Sequence, residues 1–352
     1  MNNYPFYGRR YDLEVLMPPN SEGEQEVIRV ASDEFEPEAL RVTFDVQTVW
    51  YEWIWYADIV VYNADRAFVE KMITTATTLT SSQTAKVPIE QGMVVKLSAG
   101  YQSPGKYGVI WEGPVFQALF ERENVTDNKL TLHCALGLDG LYRSLVTATY
   151  GDSTVPTNQK DVLLKIAGSA FSTSFSANIK PQPLSRGKVV FGNRAKYFSQ
   201  IAQDNNMQWF LDAHGLNLAR IDDGDVSLKD PVKYVPFNPD SETPPDAIPG
   251  IIGVPRQTQY GVDVRLLLDP DVKASRPACQ VNLDLTSIVQ MKKQVGEYLN
   301  ILDHGGNYAV YSARYIGDTR GAPWYTDVSG VTTVNGKLAM AALLAASLNS
   351  VQ

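Results

Sequence analysis

The densest group of reactive side chains lies in YIGDTRGAPWYT, residues 315–326. Asp318, Thr319 and Arg320 stand between Gly317 and Gly321, and Trp324 and Tyr325 follow at once. A carboxylate beside a guanidinium can act as acid or base, and two adjacent aromatics can stack on a sugar or anchor a protein contact. The same residues also suit a tight turn, because Asp bonds backbone donors two residues on and glycine adopts conformations closed to other residues. Catalysis, glycan binding, a contact surface and a plain turn are thus the four readings.

The rest of the chain offers this loop no chemical partner. Paired-carboxylate hydrolysis needs two acids that can lie far apart in sequence, and Glu112 and Asp318, both near strand ends beside aromatics, are the first to test. Nucleophile signatures are absent: there is no G-x-S-x-G elbow, no Walker loop and no G-x-G-x-x-G after a strand. Ser169 sits inside an expected helix. His133 and Cys134 are neighbours on an expected strand, so their side chains point to opposite faces and cannot share an ion. His214 and His304 fall at turns. Asp222, Asp223 and Asp225 surround Gly224 but lack the distal Glu and ligand number of a calcium loop, so a hairpin turn is expected there. Asn124-Val125-Thr126 is expected to match a glycosylation sequon by chance, since the opening MNNYPFYGRRYDLEV does not read as a secretory signal. No catalytic, cofactor-binding or metal-ligating residue is assigned. Trp50, Trp53 and Trp55 are expected in the core. Arg320, Trp324 and Tyr325 are expected at a contact surface, with Asp318 bonding the turn's backbone donors.

Strands must position this loop. LRVTFDVQ (40–47) alternates strictly, with Leu40, Val42, Phe44 and Val46 on one face. YEWIWYADIVVYNA (51–64) is apolar on both faces, as for a strand covered on both sides. ADRAFVEKMITTA reads as a helix capped by Asp65, and the Thr/Ser-rich run after it as an exposed loop. GMVVKLSAGY, KYGVIWEG, PVFQALFERE and KLTLHCALG read as four further strands. QKDVLLKIAGSAF and RAKYFSQIAQDNN carry helical stripes, and MQWFLDAHGLNLARI reads as a hairpin turning at His214-Gly215. The proline-rich acidic run 235–250 reads as a linker. YGVDVRLLLDP, ACQVNLDL and GNYAVYSARYIGD resume the strands, and a short helix is expected from Lys337. PGKYGVIWEGPV (104–115) and GGNYAVYSARYIGD (305–318) echo one another, which suggests two related β regions flanking an α/β insert.

The composition agrees with a mainly β globular chain. It has 352 residues, enough for two or three domains, with 44% apolar and 20% charged residues. Domains are expected at 1–152 (β), 153–235 (small α/β), 236–334 (linker and second β) and 335–352 (C-terminal helix). A net charge of −8 argues against a protein that grips nucleic acid by neutralising phosphates, yet an acidic wall can line a passage without holding what passes. Two distant cysteines make no disulfide framework. The longest apolar run, Leu338 to Leu348, falls short of the ~20 residues of a membrane span, so no stable membrane insertion is expected.

VTFDVQ, ADIVVYN, VKLSAGYQSPGKYGVIWEGPV and LTLHCALGLDG, in that order, resemble the first half of the tail hub (baseplate hub) proteins of tailed bacteriophages. IPGIIGVPRQTQYGVDVRLLLDPDV and GNYAVYSARYIGDTRGAPWYTDVSG resemble their second half. The resemblance implies two related β-barrel-like domains per subunit and a homotrimeric ring with a pseudo-sixfold face. It implies a place at the virion's tail tip or baseplate, joining a tail tube or distal tail protein to a threefold spike or fibre, with the tape-measure protein as a further neighbour. DNA passes through such a ring without specific binding. The family has no catalytic residues and no cofactor to carry over. Two alternatives stand beside it: a tail-associated cell-wall hydrolase using Glu112 or Asp318, and a carbohydrate-binding host-recognition module stacking sugars on Trp324 and Tyr325.

Overall fold

The computed structural model describes residues 8–20, 22–32, 39–49, 55–81, 92–102, 106–137, 145–151, 158–167, 184, 186–205, 207–212, 215–220, 228–236, 246–259, 261–275, 278–292, 295, 302–334 and 337–338. Strands dominate. The first seven, β1 (Arg9–Leu16), β2 (Val27–Ser32), β3 (Val42–Val49), β4 (Tyr56–Tyr62), β5 (Val94–Tyr101), β6 (Tyr107–Arg122) and β7 (Asn128–Ala135), lie in the order β3-β4-β7-β6-β5-β1-β2. Every pairing among them is antiparallel. The alternation in β3 is realised, with Val42, Phe44 and Val46 buried. β4 departs from expectation: Ala57, Ile59 and Val61 are buried while the intervening residues are half-exposed, so one face only is covered. Its polar Asp58 takes the solvent side, which the apolar composition concealed.

Two expected strands are one. β6 runs through Gly113-Pro114 because Pro114 sits where the strand leaves β5 and joins β7, a handover where a missing N–H breaks no ladder. Helix α1 (Arg66–Ser81) begins with the Val69 amide bonded to the Asp65 carbonyl at 3.0 Å and buries Val69, Met72 and Ala76. It extends into the Thr/Ser-rich run expected to be a loop; residues 82–85 of that run lie outside the described residues.

A second β unit closes on itself. Strands β12 (Val232–Pro236), β13 (Ala247–Gln257), β14 (Gly261–Leu267), β15 (Gln280–Leu283), β16 (Asn307–Asp318) and β17 (Trp324–Val334) pair in the order β15-β12-β13-β14-β17-β16, and β16 returns to β15 to complete a six-stranded barrel. The ends of the expected linker belong to it: Val235 and Pro236 close β12, and 247–250 open β13 in parallel with it. Residues 237–245 lie outside the described residues. Lys337 and Leu338, expected to start a helix, pair instead with the end of β17 as the two-residue strand β18. The two halves of the sequence echo fall on the long strands β6 and β16.

β16 joins the barrel to the first sheet. Its residues 307–309 pair with β15, and after a register shift between Val310 and Ser312 its residues 312–318 pair with β3. One sheet therefore runs unbroken through both units, over one hydrophobic core.

A separate small core lies between them in sequence. β8 (Leu145–Tyr150) pairs with β9 (Lys188–Asn193), and β10 (Met207–Asp212) with β11 (Gly215–Arg220). Helices α2 (Gln159–Ala167) and α3 (Arg194–Asp204) bury Val162, Leu163 and Ile166, and Tyr197, Phe198 and Ile201. Asn193 caps α3 by accepting from the Lys196 amide at 3.0 Å. Asp212 pairs with Gly215 at the end of the β10–β11 hairpin, and His214 of the expected His214-Gly215 turn lies outside the described residues. No helix of the described residues is long and apolar enough to cross a membrane.

Candidate functional site at the seam of the sheet

The β16–β17 loop stands where the barrel meets β3. The Asp318 amide donates to the Pro323 carbonyl at 2.8 Å and closes the turn. Thr319 pairs with Val42 twice, its amide donating to the carbonyl at 3.0 Å and its Oγ1 accepting from the amide at 2.9 Å. Arg9 of β1 donates to the carbonyls of Asp318 (2.9 Å), Gly321 and Ala322 (3.1 Å). Arg320, exposed at the rim, reaches the Ala39 carbonyl at 2.7 Å. One loop thereby ties β1, the approach to β3 and the barrel together.

Both bounding glycines are required for shape. A Cβ on Gly317 would lie 2.1 Å from the Phe44 ring, and one on Gly321 would lie 2.2 Å from the Asp318 carboxylate. The Phe44 ring is buried and the Asp318 carboxylate is held by Arg41, so both are fixed in place.

The Asp318 carboxylate is spent on structure. It takes a fork of bonds from Arg41, Nε at 3.2 Å and Nη2 at 2.7 Å, and another from the Arg320 amide at 2.9 Å. Burial alone would raise its pKa, but Arg41 and the backbone amides of Arg320 and Gly321 outweigh it and hold the carboxyl below its ordinary 3.8. A depressed folded-state pKa gives stability that is present above the unfolded value and lost as pH falls through the folded one. The stability difference between wild type and Asp318→Asn is therefore expected to stay constant from pH 8 to about 5 and to shrink below about 4, as followed by urea unfolding at each pH. A difference that grows on acidification excludes this account.

Trp324 corrects the sequence reading. Expected at a surface, it opens β17 and is 3% exposed. Its ring meets Phe44 edge-on, centroids 5.4 Å apart, and the Arg9 guanidinium lies 5.5 Å from it. The local Gly/Pro composition concealed this, because the covering groups come from β1 and β3. Its indole N–H has no hydrogen-bond partner among the described residues, so Phe44 and Arg9 hold the ring through its faces and edges. Tyr325, half-exposed, is covered by Arg265 at 4.0 Å. A shallow depression of about 480 Å³ beside Trp324, lined in part by Arg9, Tyr101, Pro323 and Tyr325, brings together no acid and nucleophile.

The other candidates lie apart. Glu112 is exposed on β6 opposite Lys96, and no hydrogen bond joins it to Asp318. His133 and Cys134 face opposite sides of β7: His133 Nδ1 is 2.6 Å from Asp58 Oδ1, while Cys134 is buried and its thiol pKa is pushed up by that burial. His304 lies in an exposed turn. Among the described residues no three His, Cys, Asp or Glu gather. Asp222, Asp223, Asp225, His214, Ser169, Trp50 and Trp53 lie outside the described residues; Trp55 is buried as expected.

Two features escaped sequence reasoning. Asp269, fully buried after β14, accepts from Lys106 Nζ at 2.6 Å and Tyr234 Oη at 2.8 Å. Lys106 comes from the β5–β6 turn, so this buried ion pair locks the first sheet to the barrel. The second is a row of charges across the solvent face of the continuous sheet: Arg265, Asp327, Arg314, Asp45, Asp58 and His133, on β14, β17, β16, β3, β4 and β7. Arg265 pairs with Asp327 at 2.6 Å, Arg314 with Asp45 at 2.7 Å, and Arg314 and Asp327 are cross-strand neighbours. Alternating residues within each strand hinted at the polar face; the row itself needs the strand order.

No family model matches the sequence, and no curated protein does. Solved structures match over nearly the whole chain. A tail protein from Neisseria meningitidis MC58 is 9% identical with a TM-score of 0.52, over 93% of this chain and 97% of that one. The E. coli c3393 protein, a type VI secretion component described as structurally similar to the T4 bacteriophage tail proteins gp27 and gp5, is 8% identical with a TM-score of 0.50, over 86% and 77%. A chain of the Francisella PdpA-VgrG complex is 8% identical with a TM-score of 0.52, over 93% of this chain and 58% of its own. At these identities the likeness is one of fold. The chain, mainly β with one continuous sheet that includes a closed barrel and with a small α/β part, thus has the fold of phage tail proteins and of their type VI secretion counterparts, in keeping with the tail hub resemblance read from its sequence.

Proposed function

We propose that the chain is a structural tail or baseplate hub protein, three copies of which form a ring at the tip of a virion tail. The observation that carries this reading is the end-to-end match in fold to a solved tail protein, over 93% of this chain and 97% of the other. Two β units per copy supply six around a threefold axis, which suits a ring that meets a sixfold tail tube or distal tail protein on one side and a threefold spike or fibre on the other. The tape-measure protein is a further neighbour. The charge row on the sheet's solvent face counts two arginines against three aspartates plus His133, a polar wall that lets DNA pass without gripping it. The likeness to a type VI secretion component and to a VgrG complex favours a second reading, the hub of a contractile injection system, which differs in what passes.

A hub needs contact surfaces rather than a reaction, and the seam loop offers one at its rim. Arg320 and Tyr325 are the residues we assign to it, with Trp324 and Asp318 as the buried frame behind them. Arg320→Ala is expected to change stability by less than about 1 kcal/mol yet weaken assembly measurably, because an exposed arginine contributes little inside one copy and much at an interface. Solution mass and imaging of the particle test the whole reading: a ring of three copies at the tail tip is expected, and a chain that stays monomeric beside tube and spike partners excludes it.

A further inference from the structure

Two exposed apolar features lie at opposite ends of β7. At one end stands the β8–β9 ribbon. Its inner face, with Val146, Ala148, Tyr150 and Val190, covers the small core. On its outer face Leu145, Val189 and Phe191 are 68%, 69% and 69% exposed, interleaved with Thr147 and Thr149. A two-stranded ribbon is marginal by itself and gains from cover on both faces. Three such side chains offer roughly 300–400 Å² of apolar surface, the size of patch that marks an interaction site. The charged residues in 145–151 and 186–193 are Arg186 and Lys188, both cations. Leu136, just past β7, packs on both this core and the main one, which puts the ribbon at that end of the strand.

The other end of β7 is the tip of the β6–β7 hairpin. There Leu119, Phe120 and Val125 are 37%, 47% and 87% exposed. Glu121 and Lys129 cancel at 2.9 Å, which leaves Glu123 and Asp127 against Arg122. The tip is apolar and acidic where the ribbon is apolar and basic. The eight residues of β7 separate them by roughly 27 Å.

We propose that the β6–β7 tip of one copy docks on the outer face of the β8–β9 ribbon of the next. This contact rests on the assembly reading above and gives it a geometry. Unlike patches at opposite ends of a copy make a head-to-tail contact, which closes into a ring when the rotation per step allows. Charge complementarity sets the register, and the apolar side chains supply the burial.

Phe191→Asp is expected to weaken self-association at least tenfold, with unchanged circular dichroism because the Phe191 side chain is 69% exposed and its bonds to the Tyr197 hydroxyl come from the backbone. Arg186→Glu is expected to weaken it as well, and Glu123→Arg in the same chain to restore it. Val125→Cys and tagged Val189→Cys, purified separately, mixed and mildly oxidised, are expected to yield a linked pair containing one of each. Assembly of Phe191→Asp equal to wild type, with no 125–189 link, overturns this contact and leaves the hub reading standing. A wild-type chain that remains monomeric at tens of micromolar, with no 125–189 link between the two cysteine variants, overturns both.

Discussion

Replacing Asp269 with asparagine is expected to lower the stability of the fold by about 3–5 kcal/mol, the cost of leaving a buried charge without its partner. The carboxylate is fully buried and holds Lys106, whose side chain is 14% exposed, together with the Tyr234 hydroxyl and the Asp271 amide at 3.1 Å. Asp271 cannot take over: its carboxylate stands 3.8 Å from Lys106 and is 70% exposed. Asparagine keeps the shape and removes the charge, so Lys106 is left as a nearly buried cation. Because Lys106 belongs to the first sheet and Asp269 to the barrel, the loss is expected to loosen the joint between them as well. Urea unfolding measures the effect. Lys106→Met combined with Asp269→Asn is expected to recover part of the loss, since with both ions gone no buried charge is stranded. If the double variant is less stable than Asp269→Asn by the full cost of another truncation, the two residues are not coupled and the lock is not one.

Trp324→Ala is expected to cost about 3–5 kcal/mol by the same measurement, the range for emptying the site of a buried tryptophan. Phe44 loses its edge-on neighbour and Arg9 the ring beneath it. The contrast with Arg320→Ala is the informative part. If the seam loop were a flat contact surface throughout, both changes would leave the copy folded and impair assembly alone. In this fold Trp324→Ala impairs assembly by destabilising the copy, whereas Arg320→Ala spares the copy. A Trp324→Ala chain as stable as wild type would return the indole to the surface.

Local residue patterns made much of this fold legible. The alternation in LRVTFDVQ set the buried face of β3, the stripes of α2 and α3 set theirs, and the acid at 318 with its flanking glycines marked a turn. Pro114 misled because proline usually ends a strand, and here it sits where the strand changes partner. Trp324 misled because its neighbours in sequence are loop-forming and its neighbours in space are Phe44 and Arg9.

The sequence by itself determined many of the strands and helices and which face of most of them is buried, because side-chain period acts over a few residues. Only the tertiary structure decided that β16 pairs with β3, that six strands close a barrel, that Asp269 meets Lys106 and that Trp324 is interior. The physical reason is that strand edges present the same backbone donors and acceptors whatever their sequence. Which edges meet is set by the packing of the whole core, to which residues hundreds apart contribute together.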